Sequence, residues 1–212
     1  MAELDLHEQE QVDALKAWWK QNSNWVYGVL IVALLGFAGS QFWKQHQAGQ
    51  SAAAATLFEE VLKQTASGDA KRIGDAADAL AERHAGSPYA VRAQLLAVQA
   101  AREAGDTKRA KVRLQWVVEH ADESGVQTVA RLQLAALLLD EKQYDAALKQ
   151  LAAPHAAAYD GLYADLKGDV LAAQGKTDEA RSAYQLALEK NEMQGAQHNL
   201  TQLKLDGLGS AK

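Results

Sequence analysis

Nineteen consecutive residues without a formal charge, Trp25 to Trp43 (WVYGVLIVALLGFAGSQFW), constrain this chain more than any other feature. As a helix rising about 1.5 Å per residue, the run reaches roughly 28 Å, close to the hydrocarbon thickness of a bilayer. The sequence predicts one transmembrane helix over residues 25–43. Aromatic side chains mark its ends: Trp18, Trp19, Trp25 and Tyr27 on one side, Phe42 and Trp43 on the other. Amphipathic rings at headgroup level anchor such helices, so these six are the expected membrane-interface anchors. Two other readings are open. A cleaved signal peptide could end at Ala38-Gly39-Ser40, but the run is long for one and acidic residues precede it. A buried core helix would carry more polar surface.

Lys16 and Lys20 precede the run, and only Lys44 follows closely. Basic residues near a span favour the cytoplasmic side, which places residues 1–24 in the cytoplasm and the bulk of the chain across the membrane. Within that tail, Val12, Leu15 and Trp19 fall on one stripe of a short amphipathic helix, Glu8 to Lys20. It either lies at the membrane surface or docks a cytoplasmic partner.

The rest of the chain is long enough for one domain with a real core. It carries 20 basic and 22 acidic residues, a net charge of −2. Nucleic acid is a poor partner for such a surface, since phosphate binding needs concentrated positive charge. The local exception, Lys108, Arg109, Lys111 and Arg113, reads as a solvated helix face. No cysteine is present, so neither disulfides nor thiolate chemistry enter.

Prolines number two, and the long Ala, Leu, Gln, Glu, Lys and Arg stretches favour helix. Helices are expected over 52–64, with Ala54, Phe58, Val61 and Leu62 inward, and over 71–84, with Ile73, Ala77 and Leu80 inward. Ser67-Gly68-Asp69 separates them. Gly86 should end the second helix, with Ser87 capping the next and Pro88 in its first turn. From there the chain repeats. Ala180, Tyr184 and Ala187, with Gly168 before them, find Ala135, Ala147 and Leu151 33 positions earlier. A further 37 positions back stand Ala110, Leu114 and Val117. Short turns divide each unit: 103–107, 140–144 and 174–178. A period in the mid-thirties built from helix pairs signals an α-solenoid, in which small residues let paired helices approach. Residues 52–84 form a weaker pair. A closing helix, 193–205, with Met193, Ala196, Leu200 and Leu203 inward, would cap the stack.

The six histidines are scattered, and no HExxH, GxGxxG, P-loop or GxSxG pattern occurs. Asp165 and Asp169 share a helix face and read as solubilising. No catalytic residue, metal site, cofactor or small-molecule substrate is expected.

The last unit, KGDVLAAQGKTDEARSAYQLALEKN, resembles the tetratricopeptide repeat through Gly168, Gly175, Ala180, Tyr184 and Ala187. The middle unit keeps Leu134, Ala135, Leu138, Tyr144 and Ala147 but departs at Pro154. The first keeps Gly105 and Ala110. In that family the first helix of each pair lines a concave groove. Carried over, the groove is Arg92, Leu95, Gln99 and Arg102, then Val129, Leu132, Ala136 and Leu139, then Leu162, Asp165, Asp169 and Ala172. The family's Lys/Asn clamp for a peptide carboxylate is missing. The middle helix, LQLAALLL over 132–139, is apolar nearly all round, so either the C-terminal helix or a partner peptide should cover it. The expected fold is all-α: a transmembrane helix, linking helices over 44–87, tetratricopeptide-like pairs over 88–192, and a capping helix and tail over 193–212.

The order of parts also resembles the ancillary subunits of the bacterial SecYEG translocon. EQVDALKAWW (10–19), FWKQHQ (42–47), ARLQLAALLLDEKQYDAALKQL (130–151) and YADLKGDVLAAQGKTDEARSAYQLAL (163–188) carry the likeness. The resemblance implies an inner-membrane protein with a periplasmic repeat domain. It implies protein partners in the Sec translocon and a membrane-anchored periplasmic chaperone of the prolyl-isomerase type, and a role in handing over newly exported chains. A scaffold of envelope assembly or division, or a regulator acting through its cytoplasmic tail, are the alternatives.

Overall fold

The computed structural model describes residues 2–190 and 195–209, divided into two compact units, Met1–Ala52 and Ala53–Lys212. The described residues form helices joined by short turns and loops, with no strand among them.

The described residues of the first unit are all helical. Helix α1 spans Ala2–Thr65 and begins well before the apolar run. The expected short helix over 8–20 is therefore not a separate element. No proline interrupts residues 2–65, so nothing forces a break between tail and span. The apolar window of α1 has none of its surface buried against protein, which removes the core-helix reading. A core helix would be covered. Trp19 and Tyr27 meet edge to face, with ring centroids 5.8 Å apart, and all six aromatic residues expected as anchors are exposed.

Among its described residues the second unit takes the last turns of α1, a short 3-10 helix at Ala157–Tyr159 and eight further α-helices: α2 (Ala70–Arg83), α3 (Pro88–Glu103), α4 (Thr107–His120), α5 (Ser124–Asp140), α6 (Tyr144–Leu151), α7 (Asp160–Ala173), α8 (Thr177–Lys190) and α9 (Ala196–Gly207). Helix pairs repeat with a common hinge. Gly68, Gly105, Lys142 and Gly175 all have positive φ, at 69°, 72°, 60° and 77°, and stand 37, 37 and 33 residues apart. In the last three turns the N–H three residues beyond the helix end reaches back to the fifth carbonyl before it: Asp106 to Ala101, Gln143 to Leu138 and Lys176 to Leu171, each at 2.8 or 2.9 Å. That is the Schellman pattern, and it requires the left-handed backbone. Asp69 and Asp106 then cap α2 and α4 through their side chains. The turn at Gly68 makes the final part of α1 and α2 a helix pair of the same kind.

Lys142 occupies a position that glycine fills in the other three turns. A residue with a Cβ is strained there by about 1 kcal/mol. Lys142→Gly is expected to raise stability by about 0.5–1 kcal/mol, read as a higher midpoint in chemical denaturation.

Small residues close the seams. Ala54, Ala77, Ala110, Ala135, Ala147, Ala180 and Ala187 are fully buried, as are Leu80, Leu114, Val61 and Val117. The inward faces expected for α2 and for the repeat second helices are thus borne out. Leu62 is not: it is 46% exposed, and Leu57 packs on the core instead, because the core meets α1 on the side of Ala54, Leu57 and Val61. Gly86 does not end α2. The helix stops at Arg83 with His84 as its cap, and Gly86 precedes the Ser87 cap and Pro88 start of α3, both as expected. Pro154 lies just beyond α6, which is eight residues long where α4 and α8 have fourteen. Proline steers the residue before it away from helix, and this shortens the pair.

The basic run on α4 is not a uniformly solvated face. Arg113 is buried and reaches from α4 to both carboxylate oxygens of Asp78 on α2, at 2.6 and 2.9 Å, and to Gln94 Oε1 on α3 at 2.7 Å. Lys111 pairs with Glu141 across to the turn after α5. Only Lys108 and Arg109 remain on the exposed side.

Candidate partner-binding groove

Helix α3 turns Ala90, Val91, Ala93, Gln94, Ala97, Val98 and Ala101 into the core. What remains on its outer side is set by the helical period: Arg92, Gln99 and Arg102 are exposed and Leu95 is half-buried. Helix α5 follows the same logic with a wider buried face, leaving Val129 38% exposed and Leu132, Ala136 and Leu139 half-buried. Its apolar circumference is covered by α4, α6 and α7 and not by the C-terminal helix, which packs on α8.

Between α3 and α5 lies a cleft of about 620 Å3 lined by Leu95, Val98, Gln99, Arg102, Glu103, Val129 and Gln133. A smaller hollow of about 110 Å3 continues past Leu95 to Arg92, Val126 and the turn at 121–123. Five of the residues expected in the groove (Arg92, Leu95, Gln99, Arg102 and Val129) therefore line these two spaces, which share Leu95, while Leu132, Ala136 and Leu139 line neither. Apolar side chains form the floor and polar ones the rim. Gln99 Nε2 donates to Glu103 Oε1 at 2.9 Å, which holds that carboxylate to one side. Neither Arg92 nor Arg102 has an ion-pair partner among the described residues; Arg92 lies 6.0 Å from the Tyr89 ring centroid.

The third unit is arranged differently. Leu162 is exposed, but Asp165 is 6% exposed and Asp169 half-buried, because α9 lies on them. The solubilising role expected for this carboxylate pair is overturned. Thr201 Oγ1 donates to Asp165 Oδ1 at 2.7 Å, and Lys204 Nζ donates to Asp165 Oδ2 and Asp169 Oδ2, both at 2.8 Å. Gln197 Nε2 adds a bond to Asp165 at 3.2 Å, and Tyr184 OH donates to Asp169 Oδ1 at 2.8 Å. Ala172, Leu205 of α9 and Leu208, the residue that caps α9, all pack against the cluster of Leu171, Ala180, Ala183 and Tyr184. The apolar stripe expected to face inward on α9 faces outward: Leu200 is 47% and Leu203 68% exposed, while Thr201 is fully buried. Met193, the first residue of that stripe, lies outside the described residues. Sequence patterning missed Gln197, Thr201 and Lys204 because it assigns apolar residues to the inner face, and here two carboxylates on α7 decide the contact.

These charges make the contact sensitive to alkali. Burial raises the Tyr184 phenol above its ordinary value, and its bond to the Asp169 carboxylate adds to the effect. Burial pulls the Lys204 ammonium down, but bonds to Asp165 and Asp169 outweigh it and hold the group above its ordinary value. Both bind a proton more tightly in the folded chain, so their contribution is complete below the ordinary tyrosine value of 10.0 and is lost as pH rises beyond it. The melting temperature is expected to hold level from about pH 7 to 9 and to fall above about pH 10, followed by circular dichroism.

Among the described residues no three His, Cys, Asp or Glu side chains converge as a metal site.

A family described as tetratricopeptide repeat-like domain matches residues 16–210. A curated protein of Neisseria gonorrhoeae named ancillary SecYEG translocon subunit is 33% identical over 204 residues, covering 96% of this chain and 98% of that one. This chain belongs to the ancillary SecYEG translocon subunit family. Relatives of the same name in Escherichia coli and Aggregatibacter actinomycetemcomitans are 25% and 26% identical, over 97% and 96% of this chain and 98% of each relative. The match spans the N-terminal helix as well as the repeats, so the likeness is more than a shared repeat. No solved structure matches.

Proposed function

We propose that this chain is a non-enzymatic, membrane-anchored adaptor that associates with the SecYEG translocon, binds a periplasmic chaperone, and helps pass newly exported proteins to it. Its relatives carry the translocon in their name, and near full-length similarity to them supports the first part. The uncharged run at 25–43, exposed along its length, supports a single span, with residues 1–24 cytoplasmic and the repeats periplasmic by the positions of Lys16 and Lys20. One observation carries the partner-binding part: the cleft between α3 and α5, with an apolar floor and Arg102 at its rim, beside the hollow that holds Arg92, both arginines without an ion-pair partner among the described residues. An apolar floor supplies affinity and rim charges supply register, the division of labour seen in peptide-binding grooves.

The test is photo-crosslinking in membranes from cleft positions Leu95, Gln99 and Val129, with exposed Glu119 on α4 as control. Translocon or chaperone subunits should appear among the products from the cleft and not from Glu119. Their absence from cleft products, or equal yields from Glu119, would overturn the reading. A chain lacking residues 1–20 should keep its cleft crosslinks; their loss would favour the regulator acting through its tail.

A further inference from the structure

Helix α9 is docked the wrong way round for a permanent cap. A helix that closes a stack ordinarily buries its apolar stripe. Here Ala196, Leu200 and Leu203 are exposed, and the centre of the contact is a cation and a hydroxyl set against two carboxylates. The apolar residues that α9 and its cap bring to the neighbouring core cluster are Leu205 and Leu208, at the far end. Seams between the other helices are closed by fully buried Ala, Leu and Val.

The socket itself has a strict chemical requirement. Asp165 is almost fully buried, and a desolvated carboxylate without a cation is costly. Asp165 and Asp169 project from α7 at the same two places that Leu95 and Gln99 hold on α3 and Leu132 and Ala136 hold on α5. Those places are apolar or neutral on the first two helices and anionic on the third. Whatever lies on α7 must bring a positive charge, and α9 does so with Lys204, one turn after Thr201.

We propose that α9 is a displaceable self-ligand, and that the Asp165–Asp169 socket receives in its place a basic helical segment of a protein partner, whose Lys or Arg takes the position of Lys204. The reading extends the groove onto α7 and rests on the groove only to that extent. Exchange also uncovers Leu205, the apolar side chain of α9 that packs on the third unit.

The probe is a labelled peptide of residues 195–209, with a Lys204→Glu version as control, added to the full chain in detergent. In the double variant Thr201→Ala, Lys204→Ala, α9 loses its polar hold and the socket opens. The peptide should bind that variant at least tenfold more tightly than the unaltered chain, and the control peptide should bind neither. Equal binding to both chains, or none to the variant, overturns the proposal. Hydrogen exchange on the unaltered chain gives a second reading that needs no variant. Amides of α9 should exchange at least tenfold faster than those of α7 and α8. If all three exchange together, α9 is an integral cap and the proposal fails. Neither assay contains the translocon, so its outcome is separate from that of the adaptor reading.

Discussion

Replacing Gly168 with alanine is expected to destabilise the repeat unit by about 2 kcal/mol, although alanine is the better helix former. A Cβ on Gly168 would sit 2.5 Å from Cδ1 and 2.9 Å from Cζ of Tyr184, and closer still to Cε1. The ring has nowhere to go. Tyr184 is buried, its hydroxyl is held by Asp169, and Lys204 lies 5.8 Å from its centroid. Overpacking a fixed side chain costs about 1–3 kcal/mol or more, against the roughly 0.5–1 kcal/mol that alanine gains within a helix. For a chain of this size, 2 kcal/mol lowers the melting temperature by about 4–8 °C. The middle unit supplies the control. Its equivalent positions are Ala135 and Leu151, both buried in one core cluster. Tyr184→Leu should therefore relieve Gly168→Ala: the double variant should be more stable than the sum of the single changes by at least about 1 kcal/mol. Additive changes would show that the two residues are not coupled.

That pair also shows what was legible from sequence alone. Ala110, Ala147 and Ala180 mark one position in three successive second helices, and all are fully buried, because a seam between close helices tolerates only a small side chain there. A constraint of that kind prints itself at a fixed interval, so the solenoid and its register could be read directly. The turns were legible for the same reason, since a left-handed residue must recur wherever the hinge recurs. Lys142 shows the limit: spacing located the turn, and glycine was absent from it. Misassigned faces came from contacts that periodicity does not encode. Leu200 and Leu203 form a good apolar stripe, yet Asp165 and Asp169 outrank it, and nothing in α9 announces that its partner is charged. In the groove, the α3 residues and Val129 were found because they are what remains once the core-facing positions are removed. The closure of α7 was not, because it depends on residues 32–39 positions further along the chain.

Arg113 was misread for a related reason, and it yields the second large effect. Within a basic run it has the sequence signature of a solvated side chain. It is instead buried, bonded to Asp78 on α2 and Gln94 on α3, and so ties three helices together. Gly74 makes the crossing possible, since a Cβ there would lie 2.6 Å from Nη2 of Arg113. Removing the anion and removing the cation are not equivalent. Asp78→Ala leaves a buried guanidinium without its counter-charge, which costs about 3–5 kcal/mol in a fully enclosed site. The Asp78 side chain is 50% exposed, so water reaches the gap and about 2–3 kcal/mol is the expected loss. Arg113→Met keeps most of the volume and takes the charge away, leaving a half-exposed Asp78 that water can solvate and that still accepts from Gln94 at 2.9 Å. Its expected loss is about 1 kcal/mol. The order is thus fixed by which charge is stranded. The decisive measurement is the combined variant: adding Arg113→Met to Asp78→Ala should restore stability, raising the denaturation midpoint above that of Asp78→Ala alone. A further fall would mean that Arg113 holds the helices together through packing of its stem and not through its charge.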